Sequence, residues 1–347
     1  MRKTFSLFIA VLVVLAFFTA CAPKSSTAQA DAGKTQAAQQ PAQSTAQAPG
    51  KAIRVGYTMP TADHGYIARA IYWAKKAMAD WTAKDPNITF DFVTADTVTK
   101  QANDIQDMMT KGIDALVVFP IDASITSQVE KAHNAGIFTV VMDRGTTRPV
   151  YDTYLHNNDQ AYATLASETL AKQLNYKGNV VIIEGIPTPI NTIRVDTDKA
   201  VFAKYPGMKV LDSQPGNWNQ QKAHDVMQNY LQKYQQIDGV MTNDDDMMIG
   251  AQLAYKESGR SDIKAWMGGG ADKRILKIIQ DGSDPTVTAD VTYPPDQCAD
   301  TVTLAVLGAR GQTFAGFYQQ KLPLEIVLNA ELVTKENAAK YYNPDEP

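Results

Sequence analysis

Cysteine is nearly absent from this chain: two in 347 residues, Cys21 and Cys298, so no framework of disulfides can staple it. Histidine is also sparse. His64, His133, His156 and His224 show no H-E-x-x-H spacing, which removes the commonest zinc-hydrolase signature. No excess of positive charge is present. The net charge is −4, which gives no electrostatic footprint for nucleic acid. No strand-like run is followed by G-x-G-x-x-G, and G-x-x-x-x-G-K-[ST] and G-x-S-x-G do not occur, so dinucleotide, phosphate-loop and nucleophile-elbow chemistry lose their usual carriers. Asn243-Asp244-Asp245-Asp246 lacks the alternating acids and central glycine of a calcium loop. These absences predict no cofactor, no metal and no catalytic constellation.

What is present begins with a leader. Arg2 and Lys3 precede an apolar run, Leu7 to Phe18, of signal-peptide length and too short for a comfortable membrane span. Phe18-Thr19-Ala20-Cys21 is similar to the lipobox of bacterial lipoproteins, with Phe18 where leucine is usual. Cys21 is therefore expected to be the lipidated first residue of the mature chain; ordinary secretory cleavage beside an incidental cysteine is the alternative. Leaving out residues 1–20 removes two positive charges and no acid, so the net charge becomes −6. Residues 22–50 are dominated by Ala, Gln, Ser, Thr and Pro, with almost nothing to bury, and read as a flexible tether.

From Ile53 onward, strand-like and helix-like runs alternate. Ile67, Ile71, Ala74, Met78 and Trp81 recur at spacings of four and three, the mark of an amphipathic helix. Ile137 to Met142 is an apolar, β-branched run that reads as a strand buried on both faces, and it ends in Asp143-Arg144-Gly145. Alternation of this kind implies parallel sheets with helices on both faces. About four such units precede Asn157-Asn158 and about five follow, more than one sheet easily holds, so two lobes are expected.

In open α/β sheets, ligands bind beyond the carboxyl ends of the strands. Polar and aromatic residues collect there. Asp63, His64 and Tyr66 follow the first strand, Phe119 the third, and Asp143 with Arg144 the fourth. In the second half, Arg194, Trp218, Asp244 and Tyr293 hold similar positions. Flat rings beside paired donors and acceptors suit a sugar, whose hydroxyls take bidentate hydrogen bonds and whose C–H faces pack on aromatics. The plainer alternatives are a strand-end ion pair at Asp143-Arg144, core packing for each aromatic, and a tight turn at Gly268-Gly269-Gly270 rather than a phosphate cradle. One acid of 244–246 is expected to cap a helix, and Cys298 to be a small buried residue near a helix start.

These segments resemble the bacterial sugar-binding proteins of ABC importers, particularly the ribose-binding type, over about Ile53 to Val327. The resemblance rests on Gly136 to Arg144, on Ser213 to Asn229 with Trp218, on Asn243 to Ala251, and on Pro295-Asp296-Gln297. It implies an α/β fold of two lobes, each a doubly wound parallel sheet flanked by helices, joined by a three-segment hinge. The divisions it implies are a signal peptide over 1–20, a lipidated cysteine and tether over 21–50, an N-terminal lobe over 51–156 plus 294–325, and a C-terminal lobe over 157–293 plus 326–347. Asn157, Asn158 and Pro294 fall at the hinge.

The resemblance further implies a non-enzymatic, monomeric protein that captures a sugar, polyol or amino sugar and delivers it to a membrane permease. It would be exported and lipid-anchored at the outer face of the cytoplasmic membrane or in the periplasm. A ligand-presenting sensor for a chemoreceptor or sensor kinase is the alternative. The related sugar-responsive repressors carry an N-terminal DNA-binding motif where this chain has its leader. Departures sit at the first loop, Ala62 to Tyr66, at Asp244 where the family has Asn, at Gly268-Gly269-Gly270 where it has Asp, and at Tyr293 where it has Gln. They imply that the scaffold transfers but ribose does not.

Overall fold

A computed structural model of the chain describes residues 51–312 and 322–347. The leader, Cys21 and the tether lie outside the described residues. In order along the chain, β1 (Ile53–Pro60), α1 (Gly65–Lys84), β2 (Ile88–Ala95), α2 (Val98–Thr110), β3 (Ala115–Val118), α3 (Thr126–Asn134), β4 (Phe138–Met142) and β5 (Thr153–Asn157) alternate as the sequence predicts. They continue into α4 (Asp159–Gln173), β6 (Lys177–Glu184), α5 (Pro189–Phe202), β7 (Gly207–Pro215), α6 (Gln220–Lys233), β8 (Gly239–Met241), α7 (Asp245–Ser258), β9 (Ala265–Met267) and α8 (Lys273–Asp281). The last elements are β10 (Ala289–Val291), α9 (Gln297–Ala309), β11 (Glu325–Leu328), β12 (Leu332–Thr334) and α10 (Ala338–Tyr341).

Local chemistry sets these boundaries. Thr97, Asn158, Thr188, Asn219, Asp244 and Asp272 each accept a backbone N–H as the N-cap of the following helix. α7 and α8 end at Gly259 and Gly282, both left-handed. The apolar stripe of α1 buries Ile67, Ala70, Ala74 and Met78, and a fully buried residue of the size of Ile67 contributes about 1.5–3 kcal/mol.

The strands form two main sheets. One runs in the order β11-β5-β4-β3-β1-β2 and the other β7-β6-β8-β9, every neighbouring pair parallel. In each sheet the order reverses beside its first strand, β1 or β6, which is the switch point where an α/β sheet opens a crevice at its carboxyl ends. β10 and β12 form a small antiparallel ribbon beside the second sheet.

The chain passes between the sheets after Asn157, between Val291 and Gln297, and between Leu328 and Leu332. The last passage falls later than the expected division at 325/326, because β11 pairs with β5 through Leu328 against Asn157. Residues beyond Asn329, which the pattern leaves unassigned, form β12 and α10. Among the described residues no helix is long and apolar enough to cross a membrane.

Candidate functional site

β1, β3 and β4 end on one side of a small cavity, and the segments after β6, β7, β8, β9 and β10 close it from the other. Of the residues that sequence reasoning selects, His64, Tyr66, Phe119, Asp143, Arg144, Arg194, Trp218, Asp244 and Tyr293 line this cavity. Asp63 does not. Its side chain is exposed and lies 2.5 Å from His64 Nδ1, so it acts on the cavity through that ring and through its charge near Arg144. The sequence reading misses Arg69, Ile190, Asn243, Gly269 and Gly270. Arg69 is one turn beyond Tyr66 on α1, a spacing that places both on one helix face.

Asp143 and Arg144 do not serve one another as a strand-end pair. The Tyr293 hydroxyl donates to Asp143 Oδ2 at 2.8 Å, while Arg144 Nη1 donates to the Ile121 carbonyl at 2.9 Å. Arg144 then lies between two rings, its guanidinium 5.4 Å from the Phe119 centroid and 5.8 Å from that of Trp218. Burial raises the Asp143 carboxyl above the ordinary range, and Arg144 and the Tyr293 hydroxyl pull against that.

Arg194 lies in the second turn of α5, which begins at Pro189 behind the Thr188 cap. Its Nε donates to Asp159 Oδ1 at 2.8 Å, and Nη1 to the Asn243 carbonyl at 3.1 Å. The guanidinium is 4.3 Å from the Tyr162 centroid and 4.4 Å from that of Tyr293. Burial works against its charge, but Asp159, Tyr162 and Tyr293 together leave the pKa above ordinary.

Three cavity residues carry left-handed backbone: Asp143 (φ 59°), Trp218 (φ 51°) and Asn243 (φ 55°). Each ends or follows a strand, and each conformation is costly for a side-chain-bearing residue. This backbone turns the chain away from the strand direction at the crevice, and at Asn243 it sends the side-chain amide to buried Asp198. Trp218 is seated by close approach: a Cβ on Gly185 would lie 2.2 Å from the indole Nε1. The indole is 6.1 Å from the His64 ring on the opposite side of the cavity.

Asp244 caps α7 by accepting from Met247 N at 2.9 Å, so one carboxylate both ends a strand–helix turn and faces the cavity. Burial first, then Asp246 beside it, pushes its pKa well above the ordinary value. The triple glycine is a turn, not an anion cradle. Gly269 and Asp272 donate their N–H groups to Asp245, Gly270 donates to the Val291 carbonyl, and Ala271 to Asp290. Gly269 and Gly270 adopt φ of 149° and 124°.

At the first crossing between the sheets, Asn157 Nδ2 donates to Gln297 Oε1 at 3.0 Å, and Gln297 Nε2 donates to the Tyr66 hydroxyl at 2.6 Å, so this crossing is wired to the cavity wall. Asn158 caps α4. Pro294 precedes α9, where Cys298 is fully buried near the helix start. Among the described residues there is no group of three or more His, Cys, Asp or Glu placed to hold a metal.

The family model of the periplasmic binding protein domain matches residues 55–313. The D-apiose import binding protein of Paraburkholderia graminis is 32% identical over 258 residues, 73% of this chain and 79% of its own length. A xylitol-binding protein of Mycolicibacterium smegmatis is 32% identical over 191 residues; that alignment spans 53% of this chain and about half, 54%, of the relative. In fold, the chain is similar to an ABC transporter solute-binding protein from Bacillus halodurans crystallised with myo-inositol. The TM-score is 0.74 at 23% identity, covering 85% of this chain and 99% of that one.

Proposed function

This chain belongs to the periplasmic binding protein domain family, and from that premise we propose that it captures a compact, hydroxyl-rich solute in the cavity between its two sheets. The solute would be a monosaccharide, polyol or amino sugar, delivered to a membrane permease. The observation that carries the reading is the pairing of ring faces with fixed charges. Arg144, held between Phe119 and Trp218, and Arg194, held between Tyr162 and Tyr293, face Asp143 and Asp244 across one small cavity. Cations offer donors and carboxylates acceptors to vicinal hydroxyls, while the rings cover the C–H faces. Relatives named for D-apiose and xylitol support a solute of this chemical class.

Closure performs the capture. Each sheet supplies half the contacts, so a solute that touches both favours the closed arrangement through its differential contacts. Water leaves the ring faces and the hydrogen bonds gain strength in the drier site. The ligand departs chemically unchanged. Export with a lipid anchor at Cys21 would hold the protein beside its permease.

A thermal-shift screen tests the reading. Xylitol, D-apiose, D-ribose, myo-inositol, amino sugars and nucleosides are each added to the folded chain. A solute at about one hundred times its Kd adds about 2.7 kcal/mol to stability, which reads as a rise in Tm. Recovery of that solute unaltered supports a carrier. No shift with any sugar or polyol rejects the proposal.

A further inference from the structure

The segment 343–347 extends past α10, which packs on α8 of the second sheet. Lys273, the first residue of α8, donates from Nζ to the carbonyl oxygens of Glu346 and, at 3.5 Å, Pro344. The segment is therefore tied to the second sheet. The Glu346 side chain, 8% exposed, turns the other way, toward α1 of the first sheet. Trp73 Nε1 donates to Glu346 Oε1 at 2.5 Å, and Arg69 Nη1 lies 3.6 Å from Oε2.

Arg69 connects this contact to the cavity. It is 4% exposed, lines the cavity, and donates from Nη1 to the carbonyls of Gly270 and Ala271 at 3.2 and 3.4 Å, on the loop after β9. A Cβ at Gly270 would lie 3.3 Å from Arg69 Nη2, so the guanidinium fits closely against that loop. Arg69 thus reaches from the first sheet's helix to the second sheet's loop. A buried guanidinium without a carboxylate is costly. Asp244, Asp245 and Asp272 of the second sheet also act on this charge, and Glu346 adds the carboxylate that comes within ion-pair distance of it, only while the two sheets are together.

We propose that Glu346 is a positioning residue of the binding site: the segment 343–347 is a strap that grips Arg69 and Trp73 across the closed cleft and sets how readily it opens. The inference rests on the reading of this cleft as one that opens and closes, but not on which solute fills it. The strap adds to the direct cross-cleft bond from Gly65 N to Asp246 Oδ2 at 2.7 Å. Opening the cleft pulls Glu346 away with α8 and exposes Arg69 to water, which lowers the cost of its charge and makes the open form accessible.

The test uses ligand-free full chain with spin labels at Arg148→Cys and Gln221→Cys in a Cys21→Ser background. These positions are exposed and flank the Arg144–Trp218 side of the cavity, while Cys298 is buried. With the strap present, the ligand-free chain keeps a resolved population at the short inter-label distance of the closed cleft, alongside open molecules. Removal of residues 343–347 shifts a large share of molecules to distances longer by roughly 5 Å or more, as expected for hinge opening. Glu346→Gln, which keeps the side chain and removes its charge, gives a smaller shift of the same kind, and decides the question if the truncated chain does not fold. Unchanged distances in both variants overturn the strap. The readout needs no ligand, so that outcome leaves the solute-capture proposal standing, whereas failure of every sugar and polyol in the thermal screen leaves the strap standing.

Discussion

The Tyr293 hydroxyl donates to Asp143 Oδ2 at 2.8 Å, joining the end of β4 in one sheet to the passage after β10 beside the other. The same Tyr293 ring carries Arg194 on its face and meets Tyr66 edge-on, with ring centroids 5.4 Å apart. One residue therefore touches an acid, a base and an aromatic of the cavity, where the related ribose-binding type is expected to have Gln.

Tyr293→Phe keeps the ring and deletes the donor. Asp143 then loses its bond within a buried site, which should cost about 1–3 kcal/mol. Calorimetry with whichever solute the thermal screen identifies should show affinity lower by that amount. Unchanged affinity would remove Asp143 from the cavity's working groups.

Arg194→Met leaves Asp159 buried without its partner and should cost about 3–5 kcal/mol, read as a lower Tm and lost binding. Adding Asp159→Asn removes the stranded charge. Stability should then recover in part while binding does not. Recovery of both would make the pair structural only.

The aromatic and cationic walls can be separated. Trp218→Ala should weaken binding by about 1–3 kcal/mol through lost ring contact, and Arg144→Ala by about 2–4 kcal/mol because the solute loses a charged donor and buried Asp143 a nearby positive charge. Gly185→Ala reaches the same indole indirectly. The added methyl displaces Trp218, at an overpacking cost of about 1–3 kcal/mol. Its binding loss should resemble that of Trp218→Ala.

Asp198 supplies a pH prediction. It is fully buried, accepts from Ser167 Oγ at 2.6 Å and from Asn243 Nδ2, and burial raises its pKa to about 7. The folded chain therefore holds this proton where the unfolded chain has released it. The contribution is fully present below about pH 4 and is lost as pH rises to about 7, on the order of 4 kcal/mol in all. Asp198→Asn stays neutral at every pH, so its Tm should exceed that of the wild type at pH 8 and lose this slope. The Asn243 Oδ1, otherwise without a partner, can accept from the new amide if its own amide turns over. A wild-type slope in the variant would place the titration elsewhere.

Legibility differed between levels. Alternating strands and helices, their caps and the glycine stops were open to reading because they depend on neighbours a few residues apart. Most site residues were legible for a related reason: they occupy the positions after parallel strands, and topology brings such positions together. Asn243 was overlooked beside Asp244 because chain pattern does not say which side chain of a polar run turns inward; the left-handed backbone at Asn243 does. Arg69 was hidden in a helix whose pattern marks it as one more charged residue. Only the loop after β9 and Glu346, far along the chain, make it part of the cleft.

The sequence by itself determined the α/β alternation, the absence of catalytic and cofactor motifs, and the set of strand ends from which a site could be built, because these follow from periodicity and local residue chemistry. The tertiary structure decided the partners: Tyr293 with Asp143, Arg144 between two rings, Arg194 with Asp159, and Glu346 on Trp73. Those pairs span up to 273 positions of sequence. Their energies arise from burial and mutual orientation, which exist only once the two sheets have been brought face to face.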